Sequence, residues 1–309
     1  MVKLIAVTGA TGNQGGSVAK RLLQFPREYK VRALTRNPDS PAAKKLQVLG
    51  AEVAKADLTV PSSLEVALRG CWGVFGVTNF YDSKIKDDPG SEEQQGKNLV
   101  DASLKEGIQC FVWSTLPSSA KLSGGELVSR IYEGKHHVDD YIRETDLPAT
   151  FLYTGNFLEN MIYRNHVRYE AKKDILEFHQ AIIRSDTKLA MLYVEEDLAD
   201  IAKAIFDKWE TQKEQIRHAY LYASNGRFSP NDIVGIIEKV SGRRAIYNVL
   251  PTTGVADRDI MFELYNRVGM YPGKDIPDQA VLDLGVGFHS VEEFIRDKLL
   301  PHLGLNPVN

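Results

Sequence analysis

The sequence gathers no run of five or more basic residues, and its 38 Lys and Arg are outweighed by 41 Asp and Glu, leaving a net charge of −3. A nucleic-acid partner needs a cationic footprint that displaces counterions from phosphates, so that class of partner is not expected. No apolar run approaches the ~18 residues that a membrane-crossing helix requires, so no membrane partner is expected either. Cysteine is scarce: Cys71 and Cys110 are the only two, each inside an apolar segment. That is too few for a disulfide scaffold, and the close Cys/His pairs of a zinc site are missing, so no metal is expected. Both are read as buried thiols in a reducing compartment, most simply the cytoplasm. The run Val2–Val7 is broken by glycine too soon for a signal peptide. There is no G-x-S-x-G turn of a hydrolase, no internal repeat and no low-complexity tract.

What is present is a foldable balance, 43% apolar against 26% charged, which favours a buried core over disorder. At ~150 residues per domain, 309 residues suggest one large unit with an appended lobe. Strand-like segments at 3–8, 30–35, 51–56, 72–77, 109–114 and 149–154 alternate with helical patterns at 14–24, 41–49, 62–69, 91–106 and 127–144. Such alternation predicts βαβ units, hence an α/β fold with a Rossmann-type doubly wound parallel sheet. Beyond about residue 155 the alternation weakens, and a second, smaller α/β lobe is expected. The expected division is 1–155 for the nucleotide-binding domain, with segments of about 189–222 returning to it, and 156–309 mainly for the lobe. Glu195, Glu196 and Asp197 open a predicted helix where its dipole favours carboxylates. A strand at 217–222, a helix at 229–241 capped by Ser229 and a strand at 245–249 follow. The bulky stretches Met261–Tyr265 and Met270–Gly273 suggest a lobe that folds over something.

The strongest chemical signal is Thr8-Gly9-Ala10-Thr11-Gly12-Asn13-Gln14-Gly15-Gly16, between the first strand and the first amphipathic helix. Gly9, Gly12 and Gly15 form the G-x-x-G-x-x-G spacing of short-chain dehydrogenases. A turn without Cβ atoms lets backbone N–H groups and a positive helix end approach a pyrophosphate. Gly9 to Gly15, with Thr11, Asn13 and Gln14 between the glycines, are therefore expected to hold a dinucleotide. One crossover later, the place of the acidic residue that binds the ribose of NAD holds Arg36. A guanidinium clamps a 2′-phosphate bidentately, so the expected cofactor is NADP(H). Lys44 and Lys45 lie close enough in sequence to help. Asp57, beside Leu58 at the end of the third strand, is placed to accept from an adenine amino group, with a turn role as its rival. Asn79 and Phe80, after the fourth strand, are expected near the nicotinamide half.

Gly9–Val18, Thr35–Pro38, Val77–Asn79, Tyr132–Lys135 and Gly155–Asn160 together resemble the NmrA-like family of atypical short-chain dehydrogenases/reductases. Within it the residues are most similar to NADPH-sensing members and fungal oxidoreductases. The resemblance implies bound NADP(H), with Asn156 and Phe157 also at the cofactor.

It also exposes a catalytic gap. A standard member carries a tyrosine four residues before a lysine, so that both share one helix face. Lys135 fits the lysine, but Ile131 stands where the tyrosine belongs. Tyr132 is rotated by ~100°, so its ring points elsewhere unless Gly134 distorts the turn. Lys135 is thus the one expected catalytic residue, holding the nicotinamide ribose and stabilising charge on a conjugated or quinone-like substrate. Ser114 and Thr115 fall where the superfamily's carbonyl-polarising hydroxyl sits, though a strand-end role is open. His136 and Asp140 share a helix face and read as a solvated pair. Two functions remain: an NADP(H)-dependent oxidoreductase of a small molecule, and a non-catalytic NADPH/NADP redox sensor that regulates a protein partner.

Overall fold

The computed structural model describes residues 2–81, 88 and 91–308. The first half alternates strand and helix as the sequence pattern requires. Strands β1 (Lys3–Val7), β2 (Tyr29–Thr35), β3 (Glu52–Lys55), β4 (Gly73–Gly76), β5 (Cys110–Thr115) and β6 (Ala149–Thr154) are linked by helices. These are α1 (Asn13–Leu23), α2 (Pro41–Val48), α3 (Pro61–Leu68), α4 (Ser91–Lys105), α5 (Ser119–Ser123) and α6 (Arg130–Arg143). The chain continues through β7 (Asn156–Phe157), α7 (Asn160–Tyr163), β8 (Val167–Glu170), β9 (Ile175–Ala181), β10 (Leu189–Leu192), α8 (Ala199–Ile216), β11 (Tyr220–Ala223), β12 (Gly226–Phe228) and β13 (Arg244–Leu250).

Seven strands form one parallel sheet in the order β11-β6-β5-β4-β1-β2-β3. Every residue of β4, β5 and β6 is buried, as expected of parallel strands covered on both faces. On one face, Val18 and Leu22 of α1 pack with Phe206 and Trp209 of α8. On the other, Leu64 of α3, Val100 of α4 and Ile142 of α6 pack over Phe111 and Trp113. The sheet is thus the doubly wound α/β fold expected. Cys71 and Cys110 are buried free thiols inside these layers, as read from the sequence. No helix among the described residues is long and apolar enough to cross a membrane.

Two three-stranded sheets lie outside it, β12-β10-β7 and β13-β9-β8. Of the segment 189–222, β10 belongs to one of these small sheets, whereas α8 packs on α1 and β11 joins the main sheet. Helical turns of π type over Val194–Leu198 place the acidic first turn before α8, where the sequence puts a helix start. The hairpin β8–β9 has no counterpart in the sequence reading, although Ile175–Ala181 buries alternate residues. The bulky groups of 261–273 are mostly core: Phe262, Leu264, Tyr265, Met270 and Tyr271 are buried, and Tyr271 stacks parallel to Tyr153 at 5.9 Å. They build the lobe rather than cover a ligand, except where Met261 and Phe262 line a second pocket.

Candidate functional site

The order of strands reverses between β1 and β4, and the carboxyl ends of parallel strands at such a point bound a natural crevice. A cleft of 520 Å³ lies there. Its floor is the turn after β1. Gly9 adopts φ +56°, a left-handed conformation that disfavours side chains, and Gly12 N–H donates to the Gly9 carbonyl at 2.8 Å. A Cβ on Gly15 would fall 2.2 Å from the Thr8 carbonyl oxygen, so only glycine lets α1 start this close to β1. Thr8 fixes the turn against β4, donating to the Val77 carbonyl at 2.9 Å while accepting from Val77 N–H at 2.7 Å. The N-cap of α1 is Gly12, which supplies no side-chain oxygen, and the first turn carries no carboxylate. Its N–H groups are therefore oriented for an outside anion.

Leu34, Thr35, Arg36, Asn37 and Ser40 form the next wall, after β2. Asn37 shapes this loop, accepting from Asp39 N–H at 3.1 Å, and Ser40 caps α2 by accepting from Ala43 N–H at 3.2 Å. Arg36 is exposed along the cleft. Lys44 and Lys45 are exposed on α2 and are not part of the wall. Ala56, Asp57 and Leu58 follow β3. Asp57 lines the cleft and also performs the rival turn role, accepting from Thr59 N–H at 3.0 Å and from its hydroxyl at 2.7 Å.

The far end is made by Val77, Thr78, Asn79, Gln95 and Phe157. Here side chains from α4 and α6 matter. A Cβ on Gly96 would meet Val138 at 2.4 Å, so glycine allows the two helices to touch. The contact brings Glu92, wholly buried, against Lys135, with Nζ 2.8 Å from Oε1. Lys135 also donates to the Thr78 hydroxyl at 2.9 Å and to the Thr78 carbonyl at 3.3 Å, and the Thr78 hydroxyl donates to Glu92 at 2.8 Å. Lys135 therefore stands behind the wall that Thr78 presents rather than in the wall itself. Buried Gln95 has an amide nitrogen without a hydrogen-bond partner.

Of the positions expected at a cofactor, Gly9, Thr11, Gly12, Asn13, Gln14, Gly15, Arg36, Asp57, Leu58, Asn79 and Phe157 come together around this one cleft. Lys135, Phe80 and Asn156 do not: Phe80 packs edge-on to Tyr81 at 5.4 Å, and Asn156 faces the second pocket. Gln95 and Glu92 were not singled out in the sequence, because only tertiary contact between α4 and α6 distinguishes them from other polar helix residues. Tyr132 is turned into the lobe, its hydroxyl 2.9 Å from that of Tyr265, and burial pushes its pKa up. The helix is regular at Gly134, so the displaced ring is not brought back to the cleft. Ser114 donates to Gln14 at 2.6 Å and Thr115 to Asp139 at 2.6 Å, so both hydroxyls are engaged at the strand end. His136 lies 2.8 Å from Lys121 Nζ and 3.5 Å from Asp140. Among the described residues no three His, Cys, Asp or Glu are grouped to hold a metal.

A second pocket of 470 Å³ opens beyond β7. Its wall includes Tyr81, Asn156, Arg164, His166, Arg258 and Phe262. Asn156 in its wall and Phe157 in the wall of the first cleft are consecutive residues of β7. Tyr81 N–H also donates to Asn79 Oδ1 at 3.1 Å.

The chain is 33% identical over 267 residues to the NmrA-like family domain-containing oxidoreductase FrzB of a Cladobotryum species, covering 82% of this chain and 78% of that one. Among solved structures it resembles NmrA, a negative transcriptional regulator, in complex with NADP: TM-score 0.77, 22% identity, 96% and 95% of the two chains. It also resembles the Citrobacter sp. triphenylmethane reductase complexed with NADP(H): TM-score 0.70, 20% identity, 94% and 98% covered. Those two likenesses concern the fold. The model of the NmrA-like family matches residues 1–298, and this chain belongs to that family.

Proposed function

We propose that this chain is an NADP(H)-dependent oxidoreductase that reduces a small conjugated or quinone-like organic molecule. The observation that carries the reading is the single 520 Å³ cleft joining the glycine turn, Arg36 and the Thr78–Gln95 end. The cleft passes two tests of fit. A Cβ on Gly12 would sit 3.3 Å from the Gly9 carbonyl and one on Gly15 at 2.2 Å from Thr8, so the cradle a diphosphate needs exists only because side chains are absent. At the other end the unpartnered amide nitrogen of Gln95 suits a polar ring substituent. The names of FrzB as an oxidoreductase and of the two NADP complexes support the same reading.

When bound, the reduced nicotinamide supplies a hydride. The residues do the rest. First-turn N–H groups of α1 hold the diphosphate, and Arg36 grips the 2′-phosphate through a fork of N–H donors. Leu34, Ala56 and Leu58 flank the adenine, with the Asp57 carboxylate at its amino group. Thr78, Asn79, Gln95 and Phe157 orient the nicotinamide. Lys135 fixes the Thr78 hydroxyl and carbonyl at the wall and places an ammonium behind the site where substrate charge develops. Asn156 and Phe80 contribute on the substrate side. The two buried thiols fit a reducing compartment such as the cytoplasm.

A second reading, a non-catalytic NADPH/NADP sensor acting on a protein partner, is favoured by three observations at the Thr78 end. Glu92 neutralises Lys135, Tyr132 is turned away, and no ionisable acid among the described residues lines the Thr78 end. The deciding experiment follows NADPH oxidation against a panel of enones, quinones and imines, with wild type and Lys135→Ala. Turnover that falls in the variant supports the enzyme. Micromolar NADPH binding without turnover of any compound selects the sensor, and failure to bind either nicotinamide nucleotide rejects both.

A further inference from the structure

We propose that the pocket beyond β7 is an anion site, in which Arg164 and Arg258 hold the carboxylate of a small aromatic or conjugated acid, a member of the substrate class proposed above. The two guanidinium carbons lie 5.2 Å and 4.4 Å from the centre of the Tyr81 ring. One N–H of each is anchored: Arg258 Nε donates to the Tyr81 hydroxyl at 2.9 Å and Arg164 Nε to Asn160 Oδ1 at 3.2 Å. Their terminal nitrogens find no acceptor among the described residues, and neither guanidinium pairs with a described carboxylate. The carboxylate next in sequence, Asp259, is taken up by Thr252 and by Thr253, whose hydroxyl and N–H donate to it at 2.6 Å and 2.7 Å.

Two like charges beside one ring, with no paired carboxylate among the described residues, repel, and a bound anion removes that cost while gaining charge-assisted hydrogen bonds. His166 reports the same field. Its pKa is pushed down to about 4 by burial and by the positive neighbours Arg164, Arg258, Arg168 and His179, so the pocket offers a neutral imidazole beside two fixed cations. Met261 and Phe262 supply an apolar wall for the body of the ligand. The fork geometry suits a planar carboxylate; a phosphate monoester presents similar oxygens and is separated by experiment.

The inference rests on the NADP(H) reading only for putting the ligand next to a hydride donor, so anion binding is measured without nucleotide. The probes are trans-cinnamate, its neutral isostere cinnamamide, and phenyl phosphate, titrated by ligand-observed NMR into the full chain, Arg164→Met and Arg258→Met. Cinnamate should bind at least about ten-fold more tightly than cinnamamide, and either substitution should erase that preference. Acid and amide binding alike, no binding of any probe at millimolar concentration, or a preference that survives both substitutions would overturn the proposal. Stronger binding of phenyl phosphate than of cinnamate would overturn the carboxylate assignment. Arg164 is exposed, so its variant keeps the test open should Arg258→Met fail to fold. Parallel NADPH titrations separate the two ideas. Intact NADPH binding without an anion preference rejects only this inference, and the reverse result rejects only the cofactor reading.

Discussion

The two ends of the first cleft are built by different means. At the Arg36 end each wall is a turn that directly follows a strand: Thr8–Gly15 after β1, Thr35–Ser40 after β2, Ala56–Leu58 after β3. At the Thr78 end the wall depends on α4 and α6, held together by the fit of Gly96 against Val138 and by the ion pair of Glu92 with Lys135. The first end is dictated by local backbone demands, and the second by a tertiary contact. That difference decides both what a sequence can disclose and what a substitution will cost.

The largest expected effect lies at the Thr78 end. Removing one partner of a buried ion pair strands the other, at about 3–5 kcal/mol. Lys135→Met should therefore lower stability by that order, measured by urea unfolding, and adding Glu92→Leu should restore part of the loss because no buried charge then remains. If Lys135→Met costs under ~1 kcal/mol, an exposed-pair value, then the pair is not buried as described and the contrast between the two ends fails.

Next comes the floor of the other end. A methyl group on Gly15 would overlap backbone, the Thr8 carbonyl at 2.2 Å, which cannot rotate away as a flexible side chain does. Gly15→Ala should cost about 1–3 kcal/mol of stability and abolish micromolar NADPH binding. Gly12→Ala, whose Cβ would meet the Gly9 carbonyl at 3.3 Å, should be milder on both counts. Equal effects of the two substitutions in isothermal titration would break the claim that helix–strand closeness sets this end.

This contrast explains what was legible. The six strands to residue 154 and their crossover helices are readable because β-branched runs, glycine turns and helical stripes are local signals, and the glycine turn that lines the cleft is readable for the same reason. The C-terminal lobe was read less well. In Ile175–Ala181 the buried series Leu176, Phe178, Gln180 includes a polar residue, which blurs the alternation, and the aromatic residues of 261–273 look alike whether they form core or cover. Gln95 and Glu92 carried no signal, since nothing in Ser91-Glu92-Glu93-Gln94-Gln95 says which side faces α6. Lys135 is implied by the family resemblance of Tyr132–Lys135, in spite of its spacing from Tyr132, yet its partner Glu92 lies far off in the sequence. The pairing of Arg164 with Arg258 around Tyr81 joins three distant segments and lay beyond pattern reading.

Arg36 sharpens the first end, because the residue is exposed along the cleft. A charge-assisted hydrogen bond is worth about 1.5–3 kcal/mol, so Arg36→Ala should weaken NADPH binding by roughly 10- to 100-fold. NADH, which lacks the 2′-phosphate, should lose little. Equal losses for the two nucleotides would remove Arg36 from phosphate recognition and leave the turn alone responsible for affinity.

The smallest effect is expected at Tyr132, and its smallness is the point. Among the described residues the hydroxyl hydrogen-bonds only to Tyr265, at 2.9 Å, inside the lobe core, and burial keeps the phenol from ionising. Tyr132→Phe removes that hydrogen bond and leaves the Tyr265 hydroxyl without it, so about 1 kcal/mol of stability should go, a few degrees in Tm. Turnover of any substrate found should stay within about two-fold of wild type, since a group that does not reach the cleft has no transition-state contact to lose. A hundred-fold fall in kcat with stability intact would mean that the phenol does reach the reacting atoms. The Thr78 end would then have a proton donor of its own, and the helix geometry that turns the ring away from Lys135 would have to change when nucleotide binds.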